Sequence, residues 1–454
     1  MSASRCCSFV LLLLATLALL SMAVAEHPVF LEDLAVRRAS VSGSLTGDLI
    51  GFASAVTPDG SHIVSAAPNA NGGRATVIKR ERDGNGDFKV VATYMLVSRQ
   101  QGSFVGSAAA ISPDGSLVLL GAPQFEQSRG CVVVFRRNDE LGLYIEDQEP
   151  LLSAQATTGS QFGSALALAG DTLVVGAPNF ALPSAAPEQR VQTGAAFVFR
   201  LTPGASDAVP ARFVELGAPL IGRLATENSL VGFSVAISPS RRTIAVSAHG
   251  LNKYAGAVFV FVRSENGAAY VEIPNPLRLL ASTFLGVALA VDHDERIYAT
   301  NYNPRSVVVF SPSEITDQHG KSLEYLPDLG RMISAPADAS SAFPTSLALT
   351  HDSETNQITV AAADFGWPRD TYQGCVFVFE TSLRTGRFEL EQTLVAAGTS
   401  PSMQTGVGFS VAITADAETV VVGAIEFSDP ESSGADRTGA TIAFNRVHDD
   451  HTNV

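Results

Sequence analysis

The sequence predicts an all-β fold in which seven similar four-stranded sheets form a closed ring. A unit typified by residues 159–178, GSQFGSALALAGDTLVVGAP, recurs seven times. Each unit contains short apolar runs separated by Gly, Pro and Asp, which is typical of strands joined by tight turns. A strand-like segment, residues 30–36, precedes the first unit, while the last unit lacks a fourth strand. Together these observations predict a seven-bladed β-propeller whose N-terminal strand completes the last blade.

The first strand of each unit begins with an apolar residue and a glycine, then alternates small with larger apolar residues. This composition suits the innermost strand of a blade, because space is limited near the central axis. Pro344 replaces the glycine in the sixth unit, and the glycines of the other units are Gly51, Gly106, Gly163, Gly232, Gly286 and Gly408.

The second strand follows a short turn such as Pro58-Asp59-Gly60, in which glycine supplies a positive φ. It ends in a short GAP-like motif. The aligned motifs are SAAP (65–68), GAP (121–123), GAP (176–178), SAH (247–249), TNY (300–302), AAD (362–364) and GAI (423–425). The third strand follows a glycine in six units, and Pro304-Arg305 takes that place in the fifth.

These units predict one propeller domain over residues 26–447, followed by a polar tail, 448–454. The expected blades cover about 50–98, 105–153, 162–222, 231–280, 285–333, 343–395 and 407–447, the last joined by 29–40.

Residues 1–25 predict a signal peptide, because Arg5 is followed by an apolar run and an A-x-A site. The run is shorter than the roughly 20 apolar residues of a spanning helix, so cleavage is favoured over the alternative, an uncleaved anchor. We therefore expect a secreted or secretory-lumen protein without an integral membrane anchor.

The net charge of −15 argues against nucleic acid as a partner. Cys6 and Cys7 lie in the predicted signal, which leaves Cys131 and Cys375. Both begin third strands, in well-separated blades two and six, so their expected separation is about 20 Å or more. A disulfide tolerates a Cα separation of only about 7 Å, so we expect two free thiols.

The combination of F/V-G-x-S-x-A, VVGAP and G-x-V-x-V-F is similar to the FG-GAP repeat over residues 29–447. That repeat builds the seven-bladed propeller at the head of integrin α chains. The resemblance implies a binding role, often adhesion. Integrin-type repeats also carry a D-x-D-x-D-G calcium loop between the first two strands. The corresponding turns here are short PDG or AGD hairpins, so we expect no cofactor and no metal site.

Three other polar segments contain residues that could act as metal ligands. Residues 83–87, DGNGD, begin like a calcium loop, but Phe88 and Tyr94 stand where Gly and an acid are required, so a hairpin turn is favoured. The turn tips at residues 292–295 and 351–352 are expected to be solvated and need not converge.

The loops between second and third strands share one face with the fourth-to-first connections, and we call this the loop face. Two of these loops carry the predicted binding residues, namely Trp367, Arg369, Asp370, Tyr372, Glu426, Asp429, Glu431 and Asp436. Trp, Tyr and Arg are enriched in binding hot spots. The alternative for Trp367, the only tryptophan, is that it fills a gap between blades.

The sequence thus predicts a secreted scaffold that binds a protein or glycan through the loop face. No G-x-S-x-G, phosphate-loop or H-E-x-x-H motif is present, so an enzyme is not the first expectation. The alternatives are a propeller-fold hydrolase or lyase acting on carbohydrate or lipid, and a structural module of a coat or wall. A convergent cluster of buried acids and His in the central channel would favour the enzyme.

Overall fold

The computed structural model describes residues 29–41, 47–70, 73–100, 102–147, 149–182, 191–204, 211–279, 283–314, 324–368, 371–397, 404–428 and 437–447. The predicted signal peptide and polar tail lie outside these ranges. The described residues form seven antiparallel sheets, each a meander of four main strands. Among the described residues, none of the helices has the length and apolar character needed to span a bilayer.

The strands of blades 1 to 4 run outward from the central axis in chain order. Blade 1 contains β2 (Ala53–Val56), β3 (His62–Ala67), β4 (Arg74–Arg82) and β5 (Phe88–Val97); blade 2 contains β6 (Ala109–Ile111), β7 (Leu117–Ala122), β8 (Cys131–Asn138) and β9 (Leu143–Glu146). Blade 3 contains β10 (Ala165–Ala169), β11 (Thr172–Ala177), β12 (Ala195–Thr202) and β13 (Arg212–Glu215); blade 4 contains β14 (Val231–Ile237), β15 (Thr243–Ala248), β16 (Val258–Arg263) and β17 (Tyr270–Glu272).

Blades 5 and 6 follow the same order, and blade 7 borrows its outer strand from the N-terminal segment. Blade 5 contains β18 (Leu289–Val291), β19 (Ile297–Tyr302), β20 (Arg305–Pro312), β21 (Tyr325–Pro327) and the short β22 (Ile333–Ser334). Blade 6 contains β23 (Leu347–Asp352), β24 (Gln357–Asp364), β25 (Cys375–Thr381) and β26 (Phe388–Leu394); blade 7 contains β27 (Val407–Ile413), β28 (Thr419–Ala424), β29 (Ala440–Val447) and β1 (Val29–Asp33). The innermost strands contact one another in order, and β27 contacts β2, which confirms the predicted closed ring.

The ring closes through β1, which pairs with β29 in the register Val29↔Val447 to Asp33↔Ala443. The predicted closure is confirmed, but the expectation that the strand extends over residues 30–36 is wrong at its end. The chain becomes helical in α1 (Leu34–Val41) because the Asp33 carboxylate accepts hydrogen bonds from the amides of Ala35 and Val36 at 3.0 and 3.3 Å. This is an N-terminal helix cap, a role in which Asp is strongly preferred.

Two further short helical segments, Phe125–Ser128 and Leu251–Tyr254, lie between second and third strands. Both contain consecutive residues with left-handed φ values.

At the boundaries between blades 2 and 3, 3 and 4, and 7 and 1, adjacent blades approach through backbone contacts between two glycines, whereas Ala66, Ser247 and Ala363 take the second-strand position at three other boundaries. A Cβ on Gly121 would lie 1.9 Å from the carbonyl oxygen of Gly163 in the next blade. The same contact closes the ring, where a Cβ on Gly423 would lie 1.8 Å from the oxygen of Gly51. Real Cβ atoms cannot approach so closely, so any other residue at Gly121 or Gly423 forces the two blades apart.

A second glycine strengthens these boundaries. This glycine comes directly before the third strand. It forms a parallel bridge to the next blade, at the residue that precedes the first-strand glycine there. The bridges are Gly130↔Phe162, Gly194↔Val231, Gly256↔Leu285, Gly374↔Val407 and Gly439↔Ile50. The boundary between blades 5 and 6 is different, because Pro304-Arg305 and Pro344 replace both glycines.

The repeat alignment also needs one correction in blade 6. Asp364 pairs with Cys375 as Ala122 pairs with Cys131. Asp364 therefore occupies the alanine position of GAP, and the aligned triplet AAD is displaced by one residue. Cys131 and Cys375 are both buried free thiols, as the register predicted.

Arg80 joins the first blade to the last. Its side chain is fully buried, and its guanidinium donates to the carbonyl oxygen of Gly60 at 2.8 and 3.0 Å and to Asn445 Oδ1 at 3.0 Å. It also lies 3.7 Å from Asp33 Oδ2 and 3.9 Å from the centre of the Phe88 ring. Burial lowers the pKa of Arg80 to about 10, so the guanidinium stays charged at neutral pH.

We predict that Arg80→Met lowers the free energy of unfolding by about 3 kcal/mol or more, because it leaves buried acceptors unpaired. Arg82→Met is the matched control, since its half-exposed guanidinium lies 4.2 Å from the centre of the same ring. The control is expected to cost no more than about 1 kcal/mol. Denaturant unfolding of both variants measures the difference, and equal losses would contradict the role assigned to Arg80.

Arg446 attaches the closing strands to blade 6. Its Nη2 lies 3.1 Å from Glu391 Oε2 and also contacts Glu380, while the guanidinium lies 4.8 Å from the centre of the Phe30 ring. Burial, opposed by Arg446 and reinforced by Glu380, raises the pKa of Glu391 from 4.5 to about 7. The folded state therefore favours the protonated form of Glu391.

A pH dependence of stability follows from this raised pKa. The contribution of protonated Glu391 to the free energy of unfolding is fully present below about pH 4.5. It is lost as the pH rises through about 7. Glu391→Gln should therefore stabilise the protein at pH 8, by about 1 kcal/mol or more, and have little effect at pH 4.5. Unfolding titrations at both pH values measure this. The exposed neighbour Glu389 provides the control, Glu389→Gln, and the same pH profile in both variants would refute the assignment.

Candidate functional site

A groove opens on the loop face at the boundary where both glycines are missing. Its volume is about 840 Å³, and its walls include Tyr302, Asn303, Arg305 and Ser340. Blades 5 and 6 cannot make the usual backbone contact here, so the segment after β22 crosses the boundary instead. Arg305 holds that segment, because its Nη1 donates to the carbonyl oxygens of Ala339, at 2.8 Å, and Ser340.

Asp364, which is fully buried, holds the groove residue Ser340 in place. Its carboxylate accepts hydrogen bonds from the amide of Ser340 at 2.6 Å, from the Ser340 hydroxyl, and from the amide of Gly366 at 3.2 Å. Burial, and then the charge of Asp364, raise the pKa of Tyr302. An acid at the alanine position of GAP thus fixes the connection between the two blades.

An aromatic patch adjoins the groove on blades 4 and 5, and it consists of Phe233, His249, Tyr254, Phe284 and Tyr302. The ring centres of Phe233 and His249 are 4.1 Å apart, those of Tyr254 and Phe284 are 5.4 Å apart, and those of Phe284 and Tyr302 are 5.9 Å apart. Phe233, Tyr254 and Phe284 are 42%, 50% and 38% exposed. Burial lowers the pKa of His249, so the patch carries no charge at neutral pH.

The patch exists because the GAP proline is replaced on this side of the ring. The corresponding residues are His249, Tyr302 and Phe365 in blades 4 to 6, whereas blades 1 to 3 keep proline, at Pro68, Pro123 and Pro178. The sequence analysis aligned SAH and TNY with GAP only as strand ends, so His249 and Tyr302 were missed as binding candidates.

The backbone holds Tyr254 and Phe284 together. Asn252, Lys253 and Tyr254 have φ values of 53°, 58° and 68°, a left-handed turn that is uncommon for non-glycine residues. The amide of Phe284 donates to the carbonyl oxygen of Tyr254 at 2.7 Å. The exposed rings of the patch are therefore carried by a hydrogen-bonded loop pair.

Of the predicted residues near the groove, Trp367 and Tyr372 lie on the loop face. Trp367 packs against the core between blades 5 and 6, and its indole N–H donates to Asp338 Oδ2 at 3.0 Å. Tyr372 is exposed, with its ring centre 5.6 Å from that of Phe365. Arg369 and Asp370 lie outside the described residues.

The predicted acidic loop is described only at its ends. Glu426 forms an exposed ion pair with Arg437, with an N–O distance of 3.4 Å. Asp429, Glu431 and Asp436 lie outside the described residues. A role for this loop in binding stays a prediction.

The turn at residues 83–87 is a hairpin between β4 and β5. Asp83 Oδ1 accepts hydrogen bonds from the amides of Asn85 and Asp87 at 2.8 and 3.2 Å, and Oδ2 pairs with Lys89 Nζ at 2.7 Å. Within the described parts of the chain, no group of three or more His, Cys, Asp or Glu side chains is arranged to hold a metal ion.

The prediction that the two other turn tips are solvated and need not converge is wrong for Asp292 and His351, although His293, Asp294 and Asp352 are exposed. Asp292 is fully buried and His351 is 6% exposed. Asp292 Oδ2 and His351 Nδ1 lie 4.0 Å apart, and the ring centres of His293 and His351 are 6.0 Å apart. The tips converge because they belong to the innermost strands of neighbouring blades, which meet at the central channel.

Comparison with known proteins supports the repeat assignment. Residues 146–199 match the model of the FG-GAP repeat, and they extend from the end of β9 through most of β12. The resemblance seen in the sequence is thus confirmed over the first three strands of blade 3. No curated protein sequence matches the chain.

Two solved structures are similar to the chain. The crystal structure of RRP9 WD40 repeats has a TM-score of 0.46 and 12% identity, over 88% of this chain and 95% of that one. The structure of U3-55K has a TM-score of 0.46 and 13% identity, over the same shares.

Proposed function

We propose that this chain is a secreted binding scaffold that captures a protein through the loop face of blades 4 to 6. Secretion is supported by the signal-like residues 1–25. The binding surface consists of the aromatic patch and the groove beside it, with Trp367 and Tyr372 on the adjoining loop of blade 6. A glycan is the alternative ligand.

The aromatic patch is the observation that carries this proposal. Exposed aromatic rings in contact with one another form an apolar surface whose burial is favourable, and such surfaces mark interaction sites. Phe233, Tyr254 and Phe284 are each more than a third exposed, so a partner can cover them. The groove adds hydrogen-bonding groups from Asn303 and Ser341, and together the two features match the mixed composition of a protein interface.

The buried Asp292–His351 pair near the channel is the kind of feature that would favour an enzyme. However, the Asp292 carboxylate accepts hydrogen bonds from Arg296 Nη1 at 3.2 Å and from the Tyr298 hydroxyl at 3.1 Å. These two hydrogen bonds hold the carboxylate within its own turn, where it has a structural role. We therefore prefer a binding scaffold to a hydrolase or lyase.

The double variant Tyr254→Ala/Phe284→Ala should weaken capture of the protein ligand about 30-fold, because truncation of a hot-spot residue costs at least about 1 kcal/mol. The measurement is quantitative pull-down with the immobilised mature protein, followed by titration of the captured ligand. Leu141→Ala/Leu383→Ala is the control, since it removes two residues that are 63% and 75% exposed on the opposite face.

The control variant should bind like wild type, and both variants should keep their circular dichroism and melting temperature. An equal loss in the two variants, or no loss in the aromatic one, would refute the assignment of the loop face. Capture of oligosaccharide instead of protein, with the same dependence on Tyr254 and Phe284, would favour a glycan ligand.

A further inference from the structure

Three arginines meet at the boundary between blades 3 and 4, on the face opposite the loop face. Arg200 belongs to β12 in blade 3, Arg263 is the last residue of β16 in blade 4, and Arg241 lies in the turn between β14 and β15. Turns between first and second strands, and between third and fourth strands, lie on this face, because the loop face carries the other connections. We call these three residues the arginine cluster, and it is separate from the aromatic patch.

Gly267, in the turn after β16, brings two of the arginines together. Arg200 Nη2 donates to the carbonyl oxygen of Gly267 at 2.8 Å. The Arg263 guanidinium lies against the same glycine, since a Cβ on Gly267 would be 3.0 Å from Arg263 Nη2. Two guanidinium groups from neighbouring blades therefore lie beside one turn.

Arg241 adds a third positive charge to this place. Its Nη1 pairs with Asp171 Oδ1 at 2.7 Å, and its carbonyl oxygen accepts a hydrogen bond from the Tyr270 hydroxyl at 2.7 Å. Burial raises the pKa of Tyr270, and the positive charges of the three arginines oppose this rise. All three guanidinium groups thus lie within electrostatic range of one hydroxyl group.

The cluster keeps hydrogen-bond donors that nothing else uses. Within the described parts of the chain, the Arg263 side chain has neither a hydrogen-bond acceptor nor an ion-pair partner. The Nε atoms of Arg200 and Arg263 are sealed from solvent, but both side chains are partly exposed. Both Nη atoms of Arg263 and Nη1 of Arg200 are therefore open to a ligand. Partly buried charges without a partner are unfavourable, and an anion between them removes that cost.

The local charge and the shape of the donors select the kind of anion. Asp171 is the carboxylate paired with the cluster, and Glu265 stands at the exposed tip of the adjacent turn. The positive excess at this place contrasts with the net charge of −15 and favours an anion. Arginine forks match the oxygens of phosphate-like groups. A tetrahedral oxyanion directs its oxygens several ways, so it can accept from guanidinium groups of two blades, whereas the two oxygens of a carboxylate suit one fork.

We propose that the arginine cluster binds a phosphate or sulfate group, as the free ion or as a monoester. The Nη atoms of Arg263 and Nη1 of Arg200 donate to its oxygens. Arg241, held by Asp171, contributes positive charge beside them. The site lies on the opposite face from the aromatic patch, so it is independent of the proposed protein-binding surface.

Four probes test the chemistry, namely inorganic phosphate, inorganic sulfate, phenyl phosphate and acetate. Calorimetric titration of the mature protein at pH 7.5 and constant ionic strength should show the phosphate-type or sulfate probes binding at least about tenfold more tightly than acetate. Phenyl phosphate binding more tightly than inorganic phosphate would identify an ester as the ligand, and equal affinity would identify the free ion. Acetate binding as tightly as the oxyanions, or no binding of any oxyanion, would overturn the proposal.

Variants then locate the binding. Arg263→Met removes two open donors, and Arg263→Lys keeps the charge but loses the fork; both should weaken binding of the best probe, the first at least about tenfold. The matched control is Arg242→Met, which removes the same charge from an exposed residue whose charge acts on Tyr325 in blade 5. The control should change the affinity less than about twofold.

Melting curves identify folded variants, and Arg263→Met should fold because the side chain has no partner to lose among the described residues. Unchanged affinity in the folded Arg263→Met protein would overturn the proposal. An equal loss in Arg242→Met would do the same, because it would show a general effect of charge in place of a site.

Discussion

Backbone contact between glycines is the constraint on which the ring depends. Gly121 and Gly163 bring blades 2 and 3 so close that a Cβ on Gly121 would overlap a carbonyl oxygen of the next blade. Gly423 and Gly51 repeat this contact where the last blade meets the first. The repeat motif is therefore an interface motif: the GAP glycine of one blade meets the first-strand glycine of the next blade. The boundary between blades 7 and 1 uses the same glycine contact as the boundary between blades 2 and 3. The N-terminal strand therefore completes blade 7, while the glycine contact joins blade 7 to blade 1.

The candidate binding site lies where this constraint is relaxed. Between blades 5 and 6, Pro304-Arg305 replaces the glycine before the third strand and Pro344 replaces the first-strand glycine, and a groove remains at that boundary. Asp364 and Arg305 then supply by side chains the connection that backbone contact supplies elsewhere. Departures from a repeat that is otherwise consistent are where function is expected. On the same side of the ring, His249 and Tyr302 stand at the GAP proline position and contact the exposed rings of Phe233 and Phe284.

Much of this fold could be predicted from the sequence because the repeat is local. Each unit carries its own turns and strands, so strand order and closure follow from counting. The end of β1 was missed because residues 30–36 have the apolar character of an outer strand, while the Asp33 cap decides the local structure. The convergence of Asp292 with His351 was missed because it depends on the packing of neighbouring blades around the channel. Trp367 was placed on the correct face, but its contact with Asp338 depends on a connection between two blades.

The most direct test of the glycine constraint compares Gly163→Ala with Gly159→Ala by denaturant unfolding. Both glycines have a positive φ, 94° and 84°, so both variants carry a similar backbone strain of about 1 kcal/mol. Only Gly163 is confined, since its Cβ would lie 2.4 Å from the oxygen of Cys131, whereas a Cβ on Gly159 meets nothing within 4 Å. We predict that Gly163→Ala costs at least about 2 kcal/mol more than Gly159→Ala. Equal losses of unfolding free energy would contradict the claim that glycine contacts hold the blades together.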